Sequence, residues 1–389
     1  MIKPNTMMQK VTVIGVGKLG LGLALLMEKG GYHVCGVDIF PEYVEALNQK
    51  RYVSKEPQYK ELLQTSQNFF ATTSLEKGLE HADIIFIVVQ TPNSGGDRFY
   101  DHSLLSNVLH KINRFQVKNK HIVIGCTVMP KYIDTVGKPL LAECENTTLS
   151  YNPEFVAQGD IVAGFLRPDI LLIGTESPFL ADTLKEIYGS FVLSNPTYCV
   201  LTPLESEIVK IGLNGYITTK LSFANMISDV CDVVGADKNK VLHAIGSDSR
   251  IGTKYFKPGN SFGGPCFPRD TKALKGFVEQ CGIQSHLLTA TTEYNKEHIR
   301  FQAEQILVQA QNQWQHQNVS SSYITIENVC FKENCGLPLI EESAKLKMAE
   351  YLVKEKHQRV VICDYEDVLE EVKKEYGNLF EYEVGGYPV

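Results

Sequence analysis

The sequence has no long hydrophobic run and no strong excess of basic residues. No apolar stretch approaches the roughly 20 residues that a transmembrane helix needs. The first ten residues, MIKPNTMMQK, lack the apolar core and the small-residue cleavage site of a secretory signal. The formal net charge of -7 offers no basic footprint for nucleic acid. These absences predict a soluble cytoplasmic protein that binds neither membranes nor nucleic acid.

Paired cysteines are also missing, although the chain contains 10 cysteines. No CxxC pair occurs, and Cys330 and Cys335 have no matching His or Cys pair nearby, so no metal site is predicted. Six cysteines lie in or beside apolar, strand-like or helical stretches: Cys35, Cys126, Cys199, Cys231, Cys330 and Cys363. Buried thiols are therefore a better prediction than disulfides.

Residues 11–38, VTVIGVGKLGLGLALLMEKGGYHVCGVD, place a glycine-rich turn between a β-branched strand and an apolar helix. Gly15 would permit the tight turn, Gly17 a close approach to a pyrophosphate, and Gly20 close packing of the helix on the strand. The next strand ends at Asp38, which suits a ribose diol. The two residues after it, Ile39 and Phe40, include no arginine that could pair with a 2′-phosphate. The pattern predicts NAD rather than NADP at the helix N-terminus; a glycine-rich turn without a ligand is the alternative.

Further α/β units follow this turn. Residues 82–92 (ADIIFIVVQTP) and 121–130 (HIVIGCTVMP) are continuous apolar runs, as expected of buried parallel strands. Ligands in such sheets lie beyond the carboxyl ends of the strands, where Thr91 and Thr127 stand. Each threonine is a candidate lining residue, and a loop-capping role is the alternative. Residues 149–160 (LSYNPEFVAQGD) then predict a loop over the same crevice.

A long helix is predicted from Pro203 to about Val234, because this stretch has apolar residues at helical spacing and no internal proline. Glu207, Lys210 and Asn214 share one face of it. A solvated face is the alternative reading of the last two residues. Gly212 and Gly215 are unfavourable inside a helix, so another element is expected to approach its backbone closely there.

The segment KPGNSFGGPCFPRD, residues 257–270, places Cys266 in a glycine-rich loop. Glycines leave such a thiol accessible, and a nearby cation, for which Lys210 and Arg269 are candidates, would favour the reactive thiolate. An inert packing cysteine is the alternative. Beside an NAD site, a nucleophilic thiol can hold an aldehyde as a thiohemiacetal, which loses hydride to become a thioester that water hydrolyses.

At this point the chain resembles the UDP-glucose/GDP-mannose dehydrogenases. The resemblance includes GVGKLG with the later aspartate, VVQTP, CTV, NPEF, SEIVKIGLNGYITTKLSFAN, IGSDSRIG and KPGNSFGGPCFPRD, and it extends over nearly the whole chain. It implies an α/β fold: a Rossmann-like NAD domain over residues 1–200, a central helical dimerisation domain with the Cys loop over 201–300, and a smaller nucleotide-sugar domain over 318–389. Family members oxidise the C6 alcohol of a nucleotide sugar to a carboxylate with two NAD.

The resemblance also implies roles for individual residues. Cys266 would be the nucleophile, and Lys210 with Asn214 would stabilise the developing oxyanion. Asp270 and Thr127 would position water or assist proton transfer. Glu154 would be a further acid, base or positioning carboxylate.

Other positions are implied in binding. The cofactor residues would be Gly15, Val16, Gly17, Lys18, Leu19, Gly20, Asp38, Thr91, Pro92, Thr127 and Arg269. The substrate residues would be Phe155, Val156, Lys210, Asn214, Arg250, Tyr255, Lys257, Gly259, Ser261, Phe262, Gly263, Phe331 and Lys332. Arg250 matches an arginine that reaches the sugar nucleotide from the partner subunit, so a homodimer through the central helix is expected.

The sequence departs from the family pattern at four positions. Gln158 replaces a second glutamate, Glu341 an arginine, Met226 a glutamate, and Asn328 a glycine in the first strand of the third domain. The substitution at Glu341 would exchange a phosphate-pairing charge for a repulsive one. We therefore expect this chain to differ from other family members in nucleotide affinity or in the base that it binds, and to keep the catalytic centre.

Three functions are compatible with these residues. The first is a two-step nucleotide-sugar 6-dehydrogenase, with UDP-glucose as the leading substrate because CFPRD resembles that branch, and with GDP-mannose as the runner-up. The second is a single-step hydroxyacid or sugar dehydrogenase that does not need the thiol. The third is a relative that binds NAD and nucleotide sugar without turnover.

Overall fold

The computed structural model describes residues 9–94, 99–317, 322–331 and 337–385. The chain divides into two compact units, Met1–Lys210 and Ile211–Val389. A single long helix begins in the first unit and continues into the second. The predicted boundaries at residues 200 and 300 are therefore not boundaries between these units, and the three-domain division stays a prediction.

The first unit is built on an eight-stranded sheet whose order is β3-β2-β1-β4-β5-β6-β7-β8. The strands are β1 Lys10–Ile14, β2 His33–Val37, β3 Phe69–Thr72, β4 Ile84–Ile87, β5 His121–Ile124, β6 Thr148–Tyr151, β7 Ile170–Gly174 and β8 Thr197–Leu201. All neighbouring strands are parallel except β6 and β7. The first six strands have the order of a dinucleotide-binding fold, with its crevice where the order reverses between β1 and β4.

Helices cover this sheet in the first unit. They are α1 Lys18–Lys29, α2 Pro41–Asn48, α3 Tyr59–Thr65, α4 Leu75–His81, α5 Ser103–Arg114, α6 Ile161–Leu166 and α7 Pro178–Gly189. Serine side chains cap two of them: Ser74 Oγ accepts from Lys77 N, and Ser177 Oγ accepts from Leu180 N. Two separate clusters of buried side chains form the core. The continuous apolar strands of the sequence are thus buried in a doubly wound α/β unit, as predicted.

The long helix α8, Pro203–Val234, has the predicted bounds. Its proline stands at the first helical position, where the missing N–H costs nothing. The remaining helices are α9 Lys238–Gly246, α10 Phe267–Gln280, α11 His286–Gln317, α12 Ala344–Lys354 and α13 Glu366–Tyr376. A second parallel sheet, in the order β11-β10-β9, consists of β9 Ile324–Glu327, β10 Val360–Asp364 and β11 Glu381–Val384. The second unit therefore holds a helical part and a small α/β part.

The glycines of α8 correct one prediction. A Cβ on Gly215 would lie 2.5 Å from a methyl carbon of Leu274, so a neighbouring side chain, not a backbone, approaches there. Around a Cβ on Gly212 the described residues place no atom within 4 Å. The expected close approach of another element to the helix is thus confirmed at Gly215, where α10 contributes Leu274, and wrong at Gly212.

The cysteines and the helices bear on two other expectations. The nine cysteines in the described ranges carry no disulfide; Cys35, Cys126 and Cys231 are buried, whereas Cys199, Cys330 and Cys363 are half-buried. Cys335 lies outside the described residues. None of the helices in the described ranges is both long enough and apolar enough to cross a bilayer.

Candidate active site

The glycine-rich turn has the geometry of a phosphate-binding turn. Gly15 has φ 88°, a left-handed conformation that favours glycine, and a Cβ there would collide with Val88 O. A Cβ on Gly20 would collide with the carbonyl of Gly15, so α1 approaches the turn closely. Gly17 is the N-cap of α1, and a Cβ on it would meet no described atom within 4 Å. The turn leaves an open N-terminus on a 12-residue helix, which fits a pyrophosphate.

Two tyrosine side chains donate hydrogen bonds to the backbone of this turn. Tyr43 Oη donates to Val16 O over 2.6 Å, and Tyr59 Oη donates to Lys18 O over 2.5 Å. Leu19 packs against the core. Asp38 follows β2 and is half-buried, and its Oδ1 lies 3.4 Å from Phe40 N. An acid at the end of the second strand, partly exposed, fits a ribose diol.

Thr91 and Thr127 meet at the carboxyl ends of β4 and β5. Thr91 Oγ1 donates to Thr127 O over 2.8 Å, and the Thr91 side chain is buried. Thr91 therefore joins two loops, and this hydrogen bond favours the loop-capping alternative over a role in lining the ligand site. Thr127 is half-buried, and Pro92 is exposed with its carbonyl accepting from Asp101 N.

Glu154 lies in a chain of polar groups within the first unit. Tyr188 Oη is 2.9 Å from Glu154 Oε1 and 2.6 Å from Asn152 Oδ1. Because Asn152 Nδ2 donates to Leu172 O, its Oδ1 can only accept the single proton of Tyr188. A protonated Glu154 would supply the proton for the other contact. Burial raises the pKa of Glu154 to about 7, although the nearby Lys210 cation lowers it, so the protonated form is accessible near neutral pH.

This pKa predicts a pH-dependent stability. A glutamate ionises near 4.5 in the unfolded chain and near 7 here, so the folded state binds more protons between those values. The stability contributed by neutral Glu154 is present at low pH and is lost as the pH rises through 7. Glu154→Gln cannot ionise, so it should gain up to about 3 kcal/mol on the wild type between about pH 5 and about pH 8.

Thermal unfolding of both proteins across that pH range tests this prediction. Buried Glu207, whose pKa burial also raises to about 7, adds the same pH dependence to both proteins and cancels in the difference. A difference that stays constant with pH would show that Glu154 ionises normally.

Lys210 contacts the NPEF segment. Its Nζ donates to Glu154 O and lies 4.5 Å from the centroid of the Phe155 ring, and the residue is 7% exposed. The solvated-face alternative is therefore wrong for Lys210. Val156 packs against the core beside this segment. One turn earlier on α8, Glu207 accepts from Lys131 N and Ile133 N, which anchors the helix to the loop after β5.

Cys266 is presented at a helix N-terminus in the second unit. It is the N-cap residue of α10, its side chain is exposed, and its carbonyl accepts from Asp270 N over 2.8 Å. The dipole of a helix favours negative charge at this end and so favours a thiolate. An exposed N-cap position contradicts the inert packing alternative.

Asp270 is the buried carboxylate of the same helix turn, 1% exposed. Asn214 Nδ2 donates to its Oδ2 over 2.6 Å, and Arg269 Nε donates to its Oδ1 over 3.2 Å. Asn214 is half-buried and therefore also not on a solvated face. Asp270 thus joins an amide of α8 to a guanidinium of α10, in the helical turn that follows the cysteine.

The glycine pair before Cys266 lies against the small α/β part of the second unit. Gly264 has φ 77°, and a Cβ there would stand 2.6 Å from the Phe331 ring. Its N–H donates to Glu341 O over 3.1 Å, and a Cβ on Gly263 would collide with Glu342 O. Only glycines allow this approach, so the Cys loop and the segment around Phe331 are in contact.

The remaining predicted substrate residues of the second unit differ in exposure. Phe262 and Ser261 are buried, whereas Lys257, Gly259 and Tyr255 are exposed. The guanidinium group of exposed Arg250 donates two hydrogen bonds to Asp248, of 3.0 and 2.7 Å. Lys332 lies outside the described residues.

The structure explains one of the four departures from the family pattern. Asn328 has φ 54° and comes just after β9 instead of within it. Asparagine tolerates this left-handed conformation better than other non-glycine residues, which explains how it can replace glycine. Met226 is a partly exposed residue of α8. Nothing in the structure explains the changes at Gln158 and Glu341.

Five of the six predicted catalytic residues fall into two sets, one in each unit, whereas Thr127 contacts Thr91. Glu154, Phe155 and Lys210 contact one another in the first unit. Asn214, Arg269 and Asp270 do so in the second, beside Cys266. Sequence reasoning missed Tyr188 on α7 and Asn295 on α11, whose amide bonds the backbone of Phe262. No local motif marks either residue.

Known families and proteins resemble this chain over most of its length. The model for the NAD binding domain of the UDP-glucose/GDP-mannose dehydrogenase family matches residues 9–192, and the model for its central domain matches residues 204–297. UDP-glucose 6-dehydrogenase YwqF of Bacillus subtilis is 33% identical over 297 residues, which cover 73% of this chain and 65% of that protein. The chain thus spans about two thirds of the length of that curated relative.

Two further proteins extend the likeness. UDP-glucose 6-dehydrogenase of Pseudomonas aeruginosa is 29% identical over 355 residues, covering 89% of this chain and 76% of that one. The structure of a UDP-glucose dehydrogenase from the archaeon Pyrobaculum islandicum superposes with a TM-score of 0.86 at 26% identity, covering 99% of this chain and 88% of that chain.

Proposed function

The chain belongs to the UDP-glucose/GDP-mannose dehydrogenase family, and from that membership we propose that it is a nucleotide-sugar 6-dehydrogenase with UDP-glucose as its leading substrate. The observation that carries the proposal is Cys266, an exposed thiol at a helix N-terminus beside a buried aspartate, in a chain whose other unit is an NAD-binding domain. UDP-glucose is favoured over GDP-mannose by the CFPRD motif and by the named relatives.

The proposed reaction oxidises a primary alcohol to a carboxylate in two steps. A primary alcohol, two NAD+ and one water become a carboxylate, two NADH and three protons. Bound NAD supplies the chemistry of accepting a hydride in each oxidation. Cys266 adds as a thiolate to the aldehyde carbon, which gives a thiohemiacetal; loss of its hydride gives a thioester. Water then breaks the C–S bond, releasing the acid and the thiol.

The other residues would act on charge and protons. The cation of Lys210 and the amide of Asn214 would stabilise the oxyanion that forms at C6. Asp270 and Thr127 would orient water or move a proton. Glu154, with a pKa raised to about 7 by burial, can exchange a proton near neutral pH, which suits an acid or base. The turn at Gly15–Gly20 with Asp38 would hold the cofactor.

A homodimer through α8 is part of the proposal. From Tyr216 to its end, α8 exposes a stripe of apolar side chains at helical spacing: Tyr216, Phe223, Val230, Val233 and Val234. A surface of this kind is typical of a protein interface. A second copy would cover it, and Arg250 would then be available to the partner's substrate.

Titration with a panel of nucleotide sugars tests the function. With limiting UDP-glucose and excess NAD, we expect two NADH per sugar and a carboxylate product by mass spectrometry. One NADH per sugar would indicate a single-step dehydrogenase. Binding of nucleotide sugar without NADH from any sugar of the panel would indicate a relative without turnover.

A further inference from the structure

Three polar side chains on one face of α11 hold the loop that leads to Cys266. Asn295, His298 and Gln302 are spaced by three and four residues, so they share that face. His298 Nε2 lies 3.0 Å from Gly259 O, and Gln302 Nε2 donates to the same carbonyl over 3.1 Å. The start of the loop is therefore fixed to the helix.

Asn295 fixes the end of the same segment, next to the glycine pair. Its Oδ1 accepts from Phe262 N over 2.8 Å, and its Nδ2 donates to Phe262 O over 3.0 Å. Its own carbonyl accepts from Ser261 Oγ over 2.7 Å. A side-chain amide that pairs with both backbone groups of one residue fixes that residue in position and in orientation.

The helix that carries Asn295 is itself immobilised. Ile299 and Ala303, on the neighbouring turns, are buried in the core of the small α/β part. On the loop-facing side, Asp229 of α8 accepts from Tyr294 Oη and contacts His298 Nδ1. Burial of these two residues and the polar contacts with α8 together hold α11 against sliding or rotation, so Asn295 is a fixed point.

We propose that Asn295 is a positioning residue for the Cys266 thiol, because its two-point contact with Phe262 anchors the loop just before the cysteine. Only Gly263, Gly264 and Pro265 separate the anchored residue from the cysteine. Glycines sample many backbone conformations, so the anchor limits where the thiol can stand. This inference rests on the proposed function of Cys266.

The bond from Gly264 N to Glu341 O is a second anchor of the same loop. Loss of Asn295 should therefore displace the thiol without releasing it. A displacement of about 1 Å can reduce a rate by about 100-fold. We expect Asn295→Ala to lower kcat by between about 10-fold and about 100-fold, with the KM for the nucleotide sugar changed by less than about threefold.

Asn295→Asp separates the two contacts. The aspartate keeps an acceptor for Phe262 N but loses the donor to Phe262 O, where it would place a carboxylate oxygen against a carbonyl. It should therefore impair kcat as much as the alanine does. Asn312, an exposed asparagine later on α11, is the matched control, and Asn312→Ala should behave as the wild type.

Alkylation of the thiol by iodoacetamide gives a readout that does not depend on turnover. Cys281, exposed at the other end of α10, is an internal reference in the same sample. Peptide mass spectrometry should show the Cys266 rate falling at least about threefold relative to Cys281 in Asn295→Ala, because the thiol shifts from the position at the helix N-terminus that favours its reactive form. The melting temperature of each variant reports whether it is folded.

An unchanged alkylation ratio in folded Asn295→Ala would overturn the positioning role, even if kcat fell, and so would full activity of Asn295→Asp. If the wild type oxidised no nucleotide sugar, the proposed function would fail on its own. The alkylation ratio would still decide whether Asn295 positions the thiol.

Discussion

Cys266→Ser is expected to abolish formation of the carboxylate product, lowering its rate by about 1,000-fold or more. Serine is nearly the same size, but its hydroxyl does not ionise near neutral pH, so it cannot capture the aldehyde as a thiolate does. The folded structure should survive, because the side chain is exposed and makes no disulfide. Quenched assays that quantify acid, aldehyde and NADH measure the effect.

Cys281→Ser is the matched control for this variant. Cys281 is also exposed and is the C-cap of the same helix, but it lies at the end of α10 remote from the substrate loop. It should keep the wild-type rate. Two NADH per sugar from Cys266→Ser at a normal rate would contradict the thiohemiacetal route, and calorimetric binding of the nucleotide sugar would confirm that the variant still has its site.

Much of the first unit could be predicted because its signals are local. The turn at Gly15 needs a positive φ, and the strand before it is continuously apolar because both faces of a parallel sheet are covered. The long helix beginning at Pro203 follows equally from spacing and from the absence of a later proline. Its bounds in the structure are those predicted.

The polar contacts around the candidate site could not be predicted, because they join residues far apart in sequence. Tyr188 is an ordinary buried residue of α7 in the sequence, yet its hydroxyl contacts the carboxyl group of Glu154, which is 34 residues away. Asn295 lies 33 residues from Phe262. A local pattern can also mislead. Gly212 inside α8 predicted a close contact with another element, but the described residues place no atom within 4 Å of a Cβ there.

The family resemblance and the structure contribute different parts of the site. The resemblance assigns the nucleophile and its helpers, which spacing alone left open against inert or solvated alternatives. The structure adds the environment of each group: a buried lysine on the NPEF segment, an exposed thiol on a helix end and a carboxyl with a raised pKa. These environments determine which substitution tests each role.

Lys210→Met is expected to lower kcat by about 100-fold, because a fixed charge aimed at a developing oxyanion contributes about 3 kcal/mol to transition-state stabilisation. Methionine keeps most of the apolar stem and removes the ammonium group. The loss should appear in kcat and in kcat/KM alike, with little change in KM, since the oxyanion develops only as the bound substrate reacts and is absent from the bound ground state. Steady-state kinetics of NADH formation with the leading substrate measure this.

The competing explanation is that Lys210 only ties α8 to the carbonyl of Glu154. A structural tie would lower the melting temperature and raise KM together with any loss of kcat, whereas a catalytic charge would leave the first two nearly unchanged. Lys185→Met, at a partly exposed lysine paired with Asp182 on α7, controls for the removal of a charge from the first unit. A kcat within about threefold of the wild type in Lys210→Met would refute the catalytic role, because a threefold change in rate corresponds to less than about 1 kcal/mol of transition-state stabilisation.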